Sequence, residues 1–120
     1  MTAVYVAGKM SDPDPLQFLR NIAALQAWTA RLRELGYAPF PVADDFADIM
    51  LTDDRVTVND VKAASLVWLA RADCVFVTPH YEQSSGVAAE IAEAKRLNIP
   101  VYYTLDAMAE GQRRREGRSP

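Results

Sequence analysis

The chain has 120 residues, of which half are hydrophobic and 24% are charged. This balance is typical of one small globular domain and excludes a disordered chain. The formal net charge is −3, and because residues 113–120 carry +3, the other 112 residues carry −6. General nucleic-acid binding needs a basic face, so this acidic body argues against a nucleic-acid partner.

The single cysteine, Cys74, excludes an intramolecular disulfide and suits a reducing compartment. The N-terminus has no charged leader with a long apolar run, and no apolar segment approaches membrane-spanning length. We therefore expect a cytoplasmic protein with no membrane partner. A domain of this size builds only a thin core, which self-association would help to stabilise.

Four short apolar runs predict strands that are buried on both faces. Their sequences are AVYVAG (3–8), YAPFPV (37–42), CVFVTP (74–79) and IPVYYTL (99–105). The prolines of the second run predict a short strand or one at a sheet edge.

Apolar residues at helical spacing predict helices between these strands. The first has Asp14 as its N-cap, Pro15 as its first residue and Gly36 at its end, and its apolar positions recur over 16–35. The second covers 59–72, capped by Thr57 or Asn59.

A third helix is predicted to begin near Gly86, and a last short helix covers 106–115. The chain then divides into a domain at 1–106 and a short helix with a disordered basic tail at 107–120.

Strands that alternate with helices and are continuously apolar predict a parallel sheet covered on both sides. The expected fold is a small flavodoxin-like or Rossmann-like α/β sandwich of three layers, with four or five strands. In such sheets, ligands bind beyond the carboxyl ends of the strands, where the strand order reverses. The loops at 8–12 and 80–86 leave those ends and are the candidate ligand-binding loops.

The stretch SSGVAAEIAEAK (84–95) places Glu90 on the shoulder of the predicted buried face, about 60–70° from its centre. Glu93 lies further round, where it can pair with Arg96. The helix N-terminus favours anions, so it would help to keep Glu90 ionised and would also accept a substrate phosphate. A partly desolvated, ionised carboxylate suits a nucleophile. The alternative is a first-turn acid that only favours the helix dipole.

Several segments resemble the nucleoside 2-deoxyribosyltransferase family, including its small 2′-deoxynucleoside 5′-phosphate N-hydrolases. They are YVAG, LVWLARADCVFVTP, SSGVAAEIAEA and NIPVYY, and they span most of the domain, from Val4 to Thr104. The most specific element is Ser84-x-Gly86-Val87-x-x-Glu90, which follows an aspartate and an apolar strand.

The resemblance implies that Glu90 is the catalytic nucleophile, which attacks the anomeric carbon of a (deoxy)ribose and displaces the base. A second base resolves the covalent intermediate in the transferases and water resolves it in the hydrolases, as in retaining glycosidases. It also implies that the Tyr5 hydroxyl orients this glutamate, although strand packing alone would explain a tyrosine there.

The family's binding residues map onto the two predicted loops. Ser84 matches a serine that contacts the 5′-phosphate, although helix capping also explains Ser84 and Ser85 and uses the same geometry. Lys9 could face the phosphate or be solvated. The full set of candidate substrate-binding residues is Gly8, Lys9, Met10, Ser11, Ser65, His80, Ser84, Ser85 and Gly86.

One position departs from the family's pattern. Ser65 stands where the family usually has an aspartate that holds the sugar and protonates the leaving base, and a serine is not a strong general acid. Another acid could substitute, and the candidates are Asp44, Asp45, Asp60 and His80. Asp73 is interpreted as structural.

The aspartates at 44, 45, 48, 53 and 54 fit no calcium loop and have no nearby His or Cys, so we interpret them as a solvated acidic flap. No metal and no cofactor is expected. Cys74 is predicted to be an inert buried residue, and both Trp28 and Trp68 are predicted to belong to the core.

The favoured function is cleavage or transfer of the N-glycosidic bond of a nucleoside or nucleoside 5′-phosphate. The main alternative is a nucleotide-binding module with little or no turnover, which the Ser65 departure favours. An unrelated flavodoxin-like or TIR-like signalling domain is a third possibility. The expected partner is a small nucleoside or nucleotide, and the resemblance implies a homo-oligomer, dimeric or larger.

Overall fold

The computed structural model describes residues 1–40 and 55–117, which form an α/β domain. Its strands are β1 (Ala3–Ala7), β2 (Ala38–Phe40), β3 (Cys74–Val77) and β4 (Val101–Tyr102). Its helices are α1 (Pro15–Glu34), α2 (Val58–Leu69), α3 (Ser85–Arg96) and α4 (Leu105–Gly117), with a 3₁₀ turn at Tyr81–Gln83.

The four strands form one sheet in the order β2-β1-β3-β4, and all pairs are parallel. This confirms the predicted fold class. The chain moves outward from β1 to β2 and then returns to the other side of β1 to form β3. The strand order therefore reverses between β1 and β3, where Tyr5 lies opposite Val75. At the opposite end of this pair, the Asp73 carboxylate accepts a hydrogen bond from the Ala3 amide at 2.7 Å.

Side chains of the two central strands alternate between two apolar clusters, one on each side of the sheet. On one side, Leu32 of α1 and Met108 of α4 pack against Val4, Val6 and Phe76. Since Met108 is fully buried, α4 is part of this folded layer.

On the other side, Leu69 of α2 and Val87 of α3 pack against Tyr5, Ala7 and Val77. These are three layers, and they place Tyr5 under the helices that carry Ser65 and Glu90. Cys74 is buried on the first side, and burial raises the pKa of its thiol to about 12.

Three of the helices begin as the sequence predicts. Asp14 accepts a hydrogen bond from the Leu16 amide at 3.1 Å, and Pro15 is the first residue of α1. Thr57 caps α2 and forms a reciprocal capping box with Asp60. Ser84 caps α3. Gly36 follows α1 with φ +91°, a conformation that favours glycine.

Trp68 does not belong to the core, which corrects the sequence expectation. The residue is 53% exposed. It stacks on Phe40, with ring centroids 5.8 Å apart, and Phe40 in turn stacks on Tyr5 at 5.7 Å. Trp28, in contrast, is partly buried and packs against Phe76.

No helix in the described part of the chain is long and apolar enough to cross a membrane.

Gly8, directly after β1, has no room for a side chain. A Cβ there would clash with Leu25 Cδ2 and would lie 2.6 Å from Thr78 Oγ1. We predict that Gly8→Ala lowers the free energy of unfolding by about 1–3 kcal/mol, because the core must move to accept the methyl group. Urea unfolding measures this.

Gly117→Ala is the matched control, since a Cβ at Gly117 meets nothing within 4 Å. It should leave the stability nearly unchanged. Equal stability of the two variants would show that the core around Gly8 adapts without cost.

Candidate active site

A cavity of about 370 Å³ lies at the carboxyl end of β1, where the strand order reverses. Its volume is in the range of small-molecule sites, about 300–1,000 Å³. The loop after β1 forms one wall, and α2 and the start of α3 form the others. The lining residues are Tyr5, Gly8, Lys9, Met10, Ser11, Val61, Lys62, Ser65, Leu66, Gln83, Ser84, Ser85, Gly86, Val87, Ala89 and Glu90.

Tyr5 forms the floor of this cavity and is only 1% exposed. Its position on the α2–α3 side of the sheet directs the hydroxyl toward α3, where it donates a hydrogen bond to the Glu90 carboxylate. The ring stacks on Phe40 with an interplanar angle of 12°. Phe40 therefore holds the Tyr5 ring and Glu90 holds its hydroxyl, so the hydroxyl is a hydrogen-bond donor in a defined position at the cavity floor.

Glu90 is partly buried on α3 and faces the cavity. Burial raises the pKa of its carboxyl to about 7, while the Tyr5 hydrogen bond and the charge of Lys62 act in the opposite direction. The sequence predicts a partly desolvated carboxylate that the helix N-terminus helps to keep ionised, and burial opposes that ionisation. Desolvation outweighs the favourable contacts, and protonated and ionised forms coexist near neutral pH.

Glu93, one turn from Glu90, has the surface role that the sequence predicts. Arg96 Nε donates to Glu93 Oε2 at 3.2 Å, and this ion pair lowers the pKa of the Glu93 carboxyl. Two glutamates on one helix thus differ in chemistry because only one of them faces the cavity.

The N-terminus of α3 opens into the cavity through Ser84, Ser85 and Gly86. Ser84 Oγ accepts a hydrogen bond from the Val87 amide at 3.2 Å, which confirms its predicted capping role. The free amides of this first turn create a local preference for an anion.

The loop after β1 is held in place by short-range contacts. Lys9 Nζ lies 3.8 Å from Asp12 Oδ2, and the Met10 carbonyl accepts a hydrogen bond from Asn21 at 3.0 Å. The loop thus presents Gly8, Lys9, Met10 and Ser11 to the cavity in a defined conformation.

Ser65 lines the cavity from α2 and is 7% exposed. Lys62 lies one turn before it on the same helix and also lines the cavity. Sequence reasoning did not identify Lys62, although its i, i+3 spacing from Ser65 places both residues on one side of α2.

Two candidates do not contribute to the described lining. His80 is exposed and caps the 3₁₀ turn with φ 65°, so it is not among the cavity residues. Asp60 is exposed and is held by Thr57, whose backbone and side-chain hydrogen bonds lower the pKa of the Asp60 carboxyl. Neither side chain therefore places an acidic group in the described lining. The candidates Asp44 and Asp45, with the other aspartates at 48, 53 and 54, lie outside the described residues.

The fold is similar to that of a known enzyme. A solved structure of a 2-deoxyribosyltransferase from Bacillus psychrosaccharolyticus superimposes with a TM-score of 0.60 over 82% of this chain and 69% of that chain, at 18% sequence identity. At this sequence identity the similarity shows a shared fold and nothing further. No family model matches the sequence, and no curated protein sequence is similar to it.

Glu90→Gln tests the cost of burying the carboxyl. The Glu90 pKa is about 7 in the folded chain and about 4.5 when exposed, so the folded state binds the proton more tightly. The stability that the folded state gains from binding this proton is fully present below pH 4.5. It is lost as the pH rises through about 7. We predict that Glu90→Gln becomes more stable than the wild type with rising pH, by about 1–3 kcal/mol above pH 8.

Urea unfolding at pH 4.5 and pH 8.5 measures this difference, and Glu93→Gln is the control on the same helix. If the two variants show the same pH dependence relative to the wild type, Glu90 is not desolvated.

Proposed function

We propose that the protein cleaves or transfers the N-glycosidic bond of a nucleoside or a nucleoside 5′-phosphate, with Glu90 as the nucleophile. The observation that carries this proposal is the hydrogen-bonded pair of Tyr5 and Glu90 in a cavity at the point where the strand order reverses. The similarity to a 2-deoxyribosyltransferase fold and the Ser84-x-Gly86-Val87-x-x-Glu90 pattern support it.

In the first step, a Glu90 carboxylate oxygen attacks the anomeric carbon while the bond to the base breaks. The transition state carries positive charge on the sugar, which the nearby carboxylate stabilises before the new bond is complete. In the second step, water or an acceptor base attacks the same carbon and releases the carboxylate. Partial desolvation makes the carboxylate more reactive, because fewer hydrogen bonds must be broken before it attacks.

The remaining cavity residues fit a substrate with a sugar and an anionic group. The hydroxyls of Ser65 and Ser11 are available to the sugar, and the N-terminus of α3 with Ser84 suits a 5′-phosphate. Lys9 adds a positive charge on the opposite wall, although Asp12 partly offsets it.

A second candidate function is nucleotide binding without turnover. It is favoured by the composition of the described lining, in which Glu90 is the only carboxylic acid. Ser65 stands where the family that the sequence resembles has an aspartate. This position therefore offers no strong acid to protonate the leaving base.

The test is base release from a panel of nucleosides and 5′-nucleotides, with and without a free acceptor base, followed by chromatography. We expect the wild type to release base and Glu90→Gln to be slower by about 10³-fold or more. Dependence on the acceptor base distinguishes transfer from hydrolysis.

Glu93→Gln is the matched control and should retain wild-type activity, since Glu93 pairs with Arg96 on the surface. If the wild type releases no base while a nucleotide raises its melting temperature, the protein is the binding module.

The pH profile of the reaction should report Glu90. Because the attacking form is the carboxylate, we predict that kcat/KM rises as the pH passes through about 7. Tyr5→Phe removes the hydrogen bond that lowers this pKa, so the rise should move to higher pH. Tyr102→Phe is the control, because the Tyr102 hydroxyl donates instead to Gln112, on the α4 side. If the pH profile of Tyr5→Phe is not shifted, the Tyr5 hydroxyl does not affect the pKa of Glu90.

A further inference from the structure

We propose that Lys62 is the proton donor to the leaving base in this reaction, so that an ammonium group on α2 replaces the carboxylic acid missing at Ser65. The inference rests on the proposed function. It follows from the position of Lys62 in the cavity and from the other groups available there.

Breaking an N-glycosidic bond leaves an electron pair on a base nitrogen, and a base that departs as an anion is a poor leaving group. A proton donor close to the base lowers this barrier, with typical contributions of about 10²–10⁴ in rate. Glu90 cannot supply the proton, because it must be ionised to attack the sugar. The donor must therefore be another group in the cavity wall.

Few groups in the described lining can serve. The Tyr5 hydroxyl is bound to Glu90, and the serine hydroxyls are weak acids. Lys9 lies beside Asp12 on the loop after β1. Lys62 is the remaining cationic group of the described lining.

The location of Lys62 suits the task. It lies on α2, which packs beside α3, so it faces the cavity from the helix next to the one that carries Glu90. Its charge acts on the Glu90 carboxyl, so the two groups border the same space. Within residues 1–40 and 55–117 no carboxylate forms a salt bridge with Lys62, so no carboxylate of these residues competes with a ligand for its ammonium.

The proposed step balances as follows. Glu90 forms a bond to the anomeric carbon, the electron pair of the broken bond passes to the base nitrogen, and the Lys62 ammonium gives a proton to the base. Lys62 is then a neutral amine beside the glycosyl ester. When water or an acceptor base attacks the anomeric carbon, its proton passes to this amine, and the electron pair of the ester bond returns to Glu90.

The test compares two substrates that differ in their need for a proton. The first is the guanine nucleoside or nucleotide. The second is its 7-methylguanine derivative, whose base already carries a positive charge and leaves as a neutral molecule. Rates are corrected for spontaneous hydrolysis. If the wild type accepts only pyrimidines, uracil and 5-fluorouracil substrates give the same comparison, because the 5-fluorouracil anion is the better leaving group.

We expect Lys62→Met to lower kcat on the guanine substrate by about 10²-fold or more, with a much smaller effect on the methylated substrate. Lys9→Met is the control for loss of a cavity charge, and any loss it causes should be similar for both substrates. Lys62 is exposed, so the variant should fold, which its melting temperature checks.

Three results would overturn the inference. The first is an equal loss on both substrates, and the second is an unchanged guanine rate. The third is a rise in KM confined to 5′-phosphates, which would make Lys62 a phosphate-binding residue. In each case an active wild type would leave the proposed function standing. If the wild type releases base from no nucleoside or 5′-nucleotide of the panel, the proposed function itself fails and the role of Lys62 fails with it.

Discussion

The parallel pairing of β1 with β3 is the contact on which the candidate site depends. These two strands are buried on both faces, so their register is fixed by packing on each side of the sheet. The pairing sets the loop after β1 beside the loop after β3, and it directs Tyr5 toward α2 and α3. The cavity is the space left where the chain crosses from one side of β1 to the other, and Tyr5 at its floor is buried.

Opposing electrostatic effects meet at Glu90. Burial disfavours the carboxylate, whereas the Tyr5 hydroxyl and the Lys62 ammonium favour it. A carboxylate with a full set of hydrogen bonds would be stable and unreactive, and one with none would stay protonated. Glu90 lies between these two extremes, and a carboxylate of this kind is suited to nucleophilic attack. Burying it lowers the stability of the fold, and the apolar packing of the strands beneath it offsets this loss.

Features set by local sequence could be predicted, including the strands, the helix starts and the cap at Ser84. Helical periodicity also placed Glu90 on the edge of the buried face. Its protonation could not be predicted, because it depends on how closely α2 covers α3. Tertiary packing also determines the exposure of Trp68. It determines as well the position of His80, which lies at the start of a 3₁₀ turn and outside the cavity lining. Lys62 was missed because a lysine on a polar helix face is normally a solvated residue.

The stack of Trp68, Phe40 and Tyr5 has a spectroscopic consequence. It links the exposed surface of α2 to the residue that holds Glu90, through ring centroids 5.8 and 5.7 Å apart. The other indole of the described chain, Trp28, lies on the opposite side of the sheet against Phe76. Each helical layer therefore has its own indole, and we expect the emission of Trp68 to respond to changes at the cavity floor without a label.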